Sequence, residues 1–341
     1  MSETLQDFLN SPLAIGKQIV QKRLSLAPMV GLTHVAFREV LESFGGYGLT
    51  WTEMCSAKSV PQENRYKSGI FRWRDMESSN LVCQIMGSTP EEMATAASRI
   101  EGEGLFGVDL NMGCSISTIC KKGAGAALLK DPRQAQEIVQ AVRSRVNCPV
   151  FVKFRTGWEN DPKFAADMAK RFQDQGADCL VFHPRIAPDR RSRPPRWEHI
   201  ARVKKAVDIP VFGNGNIATV QDAVRMLNET GCDGLALGRI AVARPWLFSE
   251  LSQEFSPDQG IYSRTAISMA ESIWNWFEYP KSFKLYKKFM NYFAANFTTG
   301  HRLRSKICNA DSLHGIIQNI NTHLEPCPSL CSRPNALMFA G

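Results

Sequence analysis

Val108-Asp109-Leu110-Asn111-Met112-Gly113-Cys114 reads as a short apolar strand that runs out into a polar side chain, a glycine and a thiol. Gly123-Ala124-Gly125-Ala126-Ala127-Leu128-Leu129 follows as a glycine-rich loop that opens a helix. This places one cysteine at a strand end, where α/β proteins do small-molecule chemistry. Eight such apolar runs occur in the chain: Leu24–Pro28, Gly48–Glu53, Leu81–Met86, Gly107–Asn111, Pro149–Lys153, Asp178–His183, Pro210–Asn214 and Asp233–Gly238. Each is followed by a helix-like segment, with Pro132–Val146, Lys163–Gly176 and Thr219–Gly231 the most amphipathic. Repeated strand–helix units imply a parallel sheet, and eight of them predict closure into a (β/α)8 TIM barrel. An open doubly wound sheet is the rival, weakened because neither G-x-G-x-x-G after the first strand nor a Walker A pattern is present.

The runs finish at or near Glu53, Gln84, Asn111, Lys153, His183, Asn214 and Arg239. In a barrel these ends meet on one face, and that face carries the active site. A ring of polar strand ends is more than solvation requires. Beyond about Phe255 the strand–helix rhythm stops, and Ile267–Phe277 and Phe283–Phe297 carry apolar residues at helical spacing. The expected division is a barrel that carries the site over residues 1–250 and a helical domain over 251–341.

The chain has 341 residues, enough for one barrel plus an appended domain. No apolar run approaches the ~20 residues that cross a bilayer. Met1-Ser2-Glu3-Thr4 has neither the basic segment nor the apolar core of a signal peptide. A cytoplasmic monomer with no membrane association is expected. The ten cysteines lie singly, without disulfide spacing, which predicts reduced thiols. His323, Cys327 and Cys331, with Cys308 upstream, fit no common zinc pattern, and no metal is expected. A net charge of +8 favours a polyanionic partner.

Two glycine loops, Gly213-Asn214-Gly215-Asn216-Ile217 and Leu237-Gly238-Arg239, follow the seventh and eighth strands. Barrels bind phosphate there through backbone N–H groups, and Arg239 adds a charge-assisted bond. A flavin mononucleotide, FMN, satisfies the remaining features. Pro28 and Met29 would meet its ring through the backbone, Gln84 and Asn111 its pyrimidine edge. Lys153 would supply positive charge to the reduced ring, with His183 on the same mouth. Arg190, Arg191, Arg193 and Arg196 crowd one proline-stiffened loop, and no acidic residue lies between Lys281 and Lys306. Lys287 and Lys288 sit in that stretch among Tyr286, Phe289 and Tyr292, a composition suited to folded RNA. Most of the aromatics are expected in the core and most of the basic heads in solvent.

Together these motifs resemble the tRNA-dihydrouridine synthases. The matching segments are Leu26-Ala27-Pro28-Met29-Val30-Gly31-Leu32-Thr33, Thr52-Glu53-Met54-Cys55-Ser56-Ala57-Lys58, Gln84-Ile85-Met86-Gly87-Ser88 and Asp109 to Cys114. Val152-Lys153-Phe154-Arg155-Thr156-Gly157-Trp158, His183-Pro184-Arg185 and the two glycine loops follow in the family's order. The resemblance implies FMN, NADPH as electron donor, and reduction of uridine in tRNA, with ribosomal RNA a less expected substrate. It implies Cys114 as the proton donor, with Cys120 of the same loop the alternative. Gln84, Lys153, His183, Asn214, Gly215, Gly238 and Arg239 match flavin contacts. Asn111 and Arg185 match positions near the base or flavin edge, and Glu53 belongs to the same mouth. Two features depart from the family's pattern: Ser115 replaces the proline that usually follows the cysteine, and the loop after His183 is rewritten. Two rivals are a flavin barrel acting on a free pyrimidine or other small enone, and a non-catalytic RNA-binding module.

Overall fold

The computed structural model describes residues 4–189, 193–253 and 255–335. Its central sheet contains eight parallel strands around a barrel: β1 (Leu24–Leu26), β2 (Thr50–Trp51), β3 (Leu81–Met86), β4 (Gly107–Met112), β5 (Val150–Gly157), β6 (Cys179–Ile186), β7 (Val211–Asn214) and β8 (Gly234–Leu237). The pairing order is β1-β8-β7-β6-β5-β4-β3-β2. The ring closes where Ser25 of β1 bridges Leu49, just before β2, and the Leu26 N–H donates to the Leu49 carbonyl at 3.0 Å.

Period-two alternation sorts each strand's side chains. Val108 and Leu110 of β4 join the shell between sheet and helices, whereas Val82, Phe151, Val181, Phe212 and Ala236 fill the barrel interior. An antiparallel hairpin, Leu13–Ile15 with Gln18–Val20, brings Ile15 and Val20 into that interior cluster. The barrel is therefore a packed core whose polar side chains gather toward the strand C-termini.

The helices begin where local chemistry predicts. Pro90, Pro132 and Pro162 occupy first helical positions of Pro90–Gly102, Pro132–Arg145 and Pro162–Asp174. Asp131 and Asp161 accept from first-turn N–H groups, and Thr219 with Asp222 forms a capping box on Val220–Thr230.

Three expectations need correction. No α-helix follows β2: the excursion to β3 contains a two-residue strand, Cys55–Ser56, paired in parallel with β3, and the 3-10 turns Val60–Gln62 and Asp75–Asn80, because Pro61, Asn64 and Gly69 break any helical period. The glycine loop after Cys114 opens a 3-10 turn, Gly125–Lys130, with the α-helix starting at Pro132. Strands β5 and β6 also run beyond Lys153 and His183, since the pair stays hydrogen-bonded through an irregularity between Arg155 and Gly157. Those two side chains sit within strands, not at their ends.

After β8 come short helices Arg239–Ala243 and Leu247–Ser252, then Ile261–Trp276, Lys281–Phe293, Gly300–Ile307 and Leu313–Leu324. The last two were not anticipated from periodicity. Tyr286, Phe289 and Tyr292 are buried, as expected. No helix among the described residues is long and apolar enough to cross a membrane.

Candidate active site

The mouth is built from inward positions of successive strands. Asn111 is in register with Lys153, and Arg155 with His183, so their side chains form adjoining rows. Behind them lies Asp109, fully buried. Its Oδ2 accepts from Trp51 Nε1 at 2.9 Å and from Gln84 Nε2 at 2.7 Å. Gln84 Oε1 accepts from Asn111 Nδ2 at 2.8 Å. Asn111 Oδ1 in turn accepts from the backbone N–H of Gly113 at 3.2 Å and of Cys114 at 3.0 Å. Gln84 and Asn111, expected to face a ligand edge, thus spend much of their bonding capacity on each other and on the cysteine loop.

Burial governs the charges here. It pushes the Asp109 carboxyl up to about 6, against the hydrogen bond from Gln84 and the charge of Lys153. It pulls the Lys153 ammonium down to about 8, with Asp109 opposing. It drives His183 well below its ordinary range, and the nearby cations Lys153, Arg155, Arg185 and Arg239 add to the effect, so the imidazole is neutral. It raises the half-buried Cys114 thiol, which stays protonated at neutral pH.

At the glycine end, Asn214 Nδ2 donates to the Ala236 carbonyl at 2.6 Å, tying β7 to β8. Gly215 has φ +129°, and a Cβ there would lie 3.2 Å from the Pro195 side chain. Asn216 adopts φ 57°, left-handed backbone that asparagine tolerates better than most residues. Its Oδ1 accepts from Arg185 Nη2 at 3.1 Å and Arg239 Nη2 at 3.4 Å. A Cβ at Gly238 would meet nothing nearer than Met29 Sδ at 3.8 Å. Across the mouth, the Ala27 N–H donates to Leu237 O and the Met29 N–H to Thr33 Oγ1. Pro28 has no N–H. The loop therefore offers the mouth little backbone donor capacity. Buried Glu53 accepts from the Gly31 N–H, and burial raises its carboxyl above the usual range.

The other substrate candidates divide. Arg185 is buried against His183, with Nη1 2.8 Å from Nε2. Lys287 packs its ammonium 4.1 Å from the centre of the Phe283 ring, and Lys288 donates to the Val30 carbonyl at 2.6 Å. Arg190 and Arg191 lie outside the described residues. No cluster of three or more metal-ligating side chains occurs among the described residues.

Two mouth residues were missed. Arg155 is partly buried; its Nη1 donates to the Ile186 carbonyl at 2.8 Å, and its buried Nε has no partner. Asp109 lies two residues before Asn111, as Arg155 lies two after Lys153. Alternation alone points both inward.

The dihydrouridine synthase family model matches residues 25–320. The chain belongs to the dihydrouridine synthase family. Among curated members, tRNA-dihydrouridine synthase B of Pseudomonas aeruginosa is 38% identical over 71% of this chain and 72% of its own length. A probable tRNA-dihydrouridine synthase 1 of Synechocystis is 34% identical, covering 77% of this chain and 72% of its own. A synthase B of Xanthomonas axonopodis is 30% identical over 88% of this chain and 92% of its own. Among solved structures, a 2-naphthoyl-CoA reductase complex superposes with a TM-score of 0.54 at 16% identity, over 72% of this chain and 52% of that one. TcOYE with pHBA gives 0.53 at 12%, over 76% and 98%. These two likenesses show the barrel fold. Family membership makes the protein a flavin-dependent oxidoreductase that reduces uridine.

Proposed function

We propose that this dihydrouridine synthase reduces specific uridines of tRNA to 5,6-dihydrouridine, using FMN and NADPH. Family membership over most of the chain carries the enzyme class. The observation that carries the site assignment is the convergence of a protonated thiol, a buried ammonium and two glycine loops on one barrel mouth. The donor set suits FMN. Gly215 and Gly238 leave backbone open to a phosphate, with Arg239 beside them and Asn214 and Asn216 shaping the loop. Lys153 offers positive charge to an anionic ring, and neutral His183 a hydrogen-bonding nitrogen.

When bound, the flavin supplies the hydride that uracil C6 receives. This chain's own residues do the rest. Cys114 gives its proton to C5, a role open to a thiol whose burial keeps it protonated. Asn111 holds the Cys114 backbone in place. Arg185 and Glu53 line the approach of the base, which must leave its RNA stack to reach the mouth. Lys287 belongs to the basic side that receives RNA, and Arg190 and Arg191, which lie outside the described residues, are offered as phosphate contacts on their charge alone.

Cys114→Ala tests this directly. The variant should keep its yellow flavin and its NADPH-driven flavin reduction, yet form no dihydrouridine on unmodified tRNA, read by nucleoside mass spectrometry. Full product formation would remove Cys114 from the mechanism.

A further inference from the structure

We propose that Asp109 is a positioning residue that sets, through the side-chain amides of Gln84 and Asn111, the orientation of the Cys114 loop. The inference rests on the role given to Cys114 above and extends it to a buried group the mechanism does not otherwise use. The argument is one of donor and acceptor parity. Asp109 Oδ2 accepts from Gln84 Nε2, so Gln84 must turn its carbonyl oxygen the other way. That oxygen accepts from Asn111 Nδ2, which forces Asn111 Oδ1 toward the backbone N–H groups of Gly113 and Cys114. Trp51 Nε1 donates to the same Asp109 oxygen and pins the start of the chain.

Asp109, Gln84 and Asn111 are 0%, 1% and 8% exposed, so water has little access to substitute for any link. Without an obligate acceptor at position 109, both amides are free to rotate by half a turn. Asn111 would then aim its NH2 at two backbone N–H groups, donors against donors, and the loop would have to move.

The test reads the thiol itself. Alkylation of Cys114 by iodoacetamide, followed by peptide mass spectrometry with partly exposed Cys331 as internal standard, is measured on flavin-loaded protein. Asp109→Leu should change the Cys114 rate by about fivefold or more, the equivalent of one net hydrogen bond, while flavin absorbance persists. Asp109→Asn keeps an acceptor oxygen for Gln84 and Trp51, and should bring the rate back to within about twofold of native. A native rate in the leucine variant, or an equal change in both variants, would overturn the relay. Should the leucine variant fail to fold, Gln84→Met breaks the chain one link later and must produce the same change; a native rate there overturns the relay too. Failure of the acid assignment shows separately, as turnover surviving in Cys114→Ala, because alkylation does not depend on what the thiol does in catalysis.

Discussion

Lys153 shows how one residue's environment becomes a measurable property of the mouth. Its ammonium is desolvated on β5 and keeps only partial compensation from Asp109. The sign follows from which form burial disfavours: the folded pKa lies below the ordinary 10.5, at about 8, so charge is lost as pH rises through that value. FMN is anionic, and its affinity for apoprotein should therefore weaken as pH rises through about 8, read by quenching of flavin fluorescence. Lys153→Met should bind more weakly at neutral pH and lose this pH dependence. A native affinity that stays flat across the window would count against Lys153 as the charge the flavin meets. This residue's position was legible in sequence, because a lysine within an apolar strand run has few places to go but the mouth. The extent of β5 was not: pairing beyond Lys153 depends on a long-range register with β6 that local pattern does not encode.

At the scale of elements, turns and loops place the site, and they are where sequence reading was least complete. The glycine pair after β7 and β8 was legible because loops at those two strands have a phosphate-binding geometry in barrels. Gly215→Ala forces a side chain onto φ +129°, with Cβ 3.4 Å from His183 Cδ2 and 3.2 Å from Pro195 Cβ. The strain should cost about 1–3 kcal/mol, lowering both Tm and the flavin content of purified protein. An alanine variant with native Tm and full flavin would show the loop has room to spare. The β2–β3 excursion was read as helical, yet it is held by charge. Arg38, from the helix Val35–Phe44, bonds Glu77 at 3.0 Å and also donates to the Thr33 and Arg72 carbonyls, with both ionic side chains buried. Glu77→Ala strands a buried guanidinium and should destabilise the fold by about 3–5 kcal/mol in denaturant titration. Neither residue's partner can be read locally, since the two lie far apart in the chain.

For the whole molecule, the proposed use of tRNA raises the question of which basic groups of the helical region would meet RNA and which hold the protein together. Lys281–Phe293 packs Tyr286, Phe289, Met290 and Phe293 into the core, so its polar face is what remains for a partner. Lys284, Arg302 and Lys306 are exposed. Lys288 instead spans from this helix to the Val30 carbonyl, on the same loop as Pro28 and Met29, and its charge also reaches Glu53. The helical region thus contacts the mouth of the barrel, so that under the proposed function one RNA would touch both. Binding should weaken steeply with salt, because phosphate neutralisation releases counterions. Lys284→Ala, Arg302→Ala and Lys306→Ala should each reduce the slope of log affinity against log salt by about one where that group contacts a phosphate, with flavin content unchanged. Lys288→Ala should behave differently. It releases the β1 loop, so flavin retention should fall even in protein that has never met RNA, and the salt slope should change less than in the other three. Equal slope changes in all four variants, with flavin retained in each, would place Lys288 among the RNA contacts.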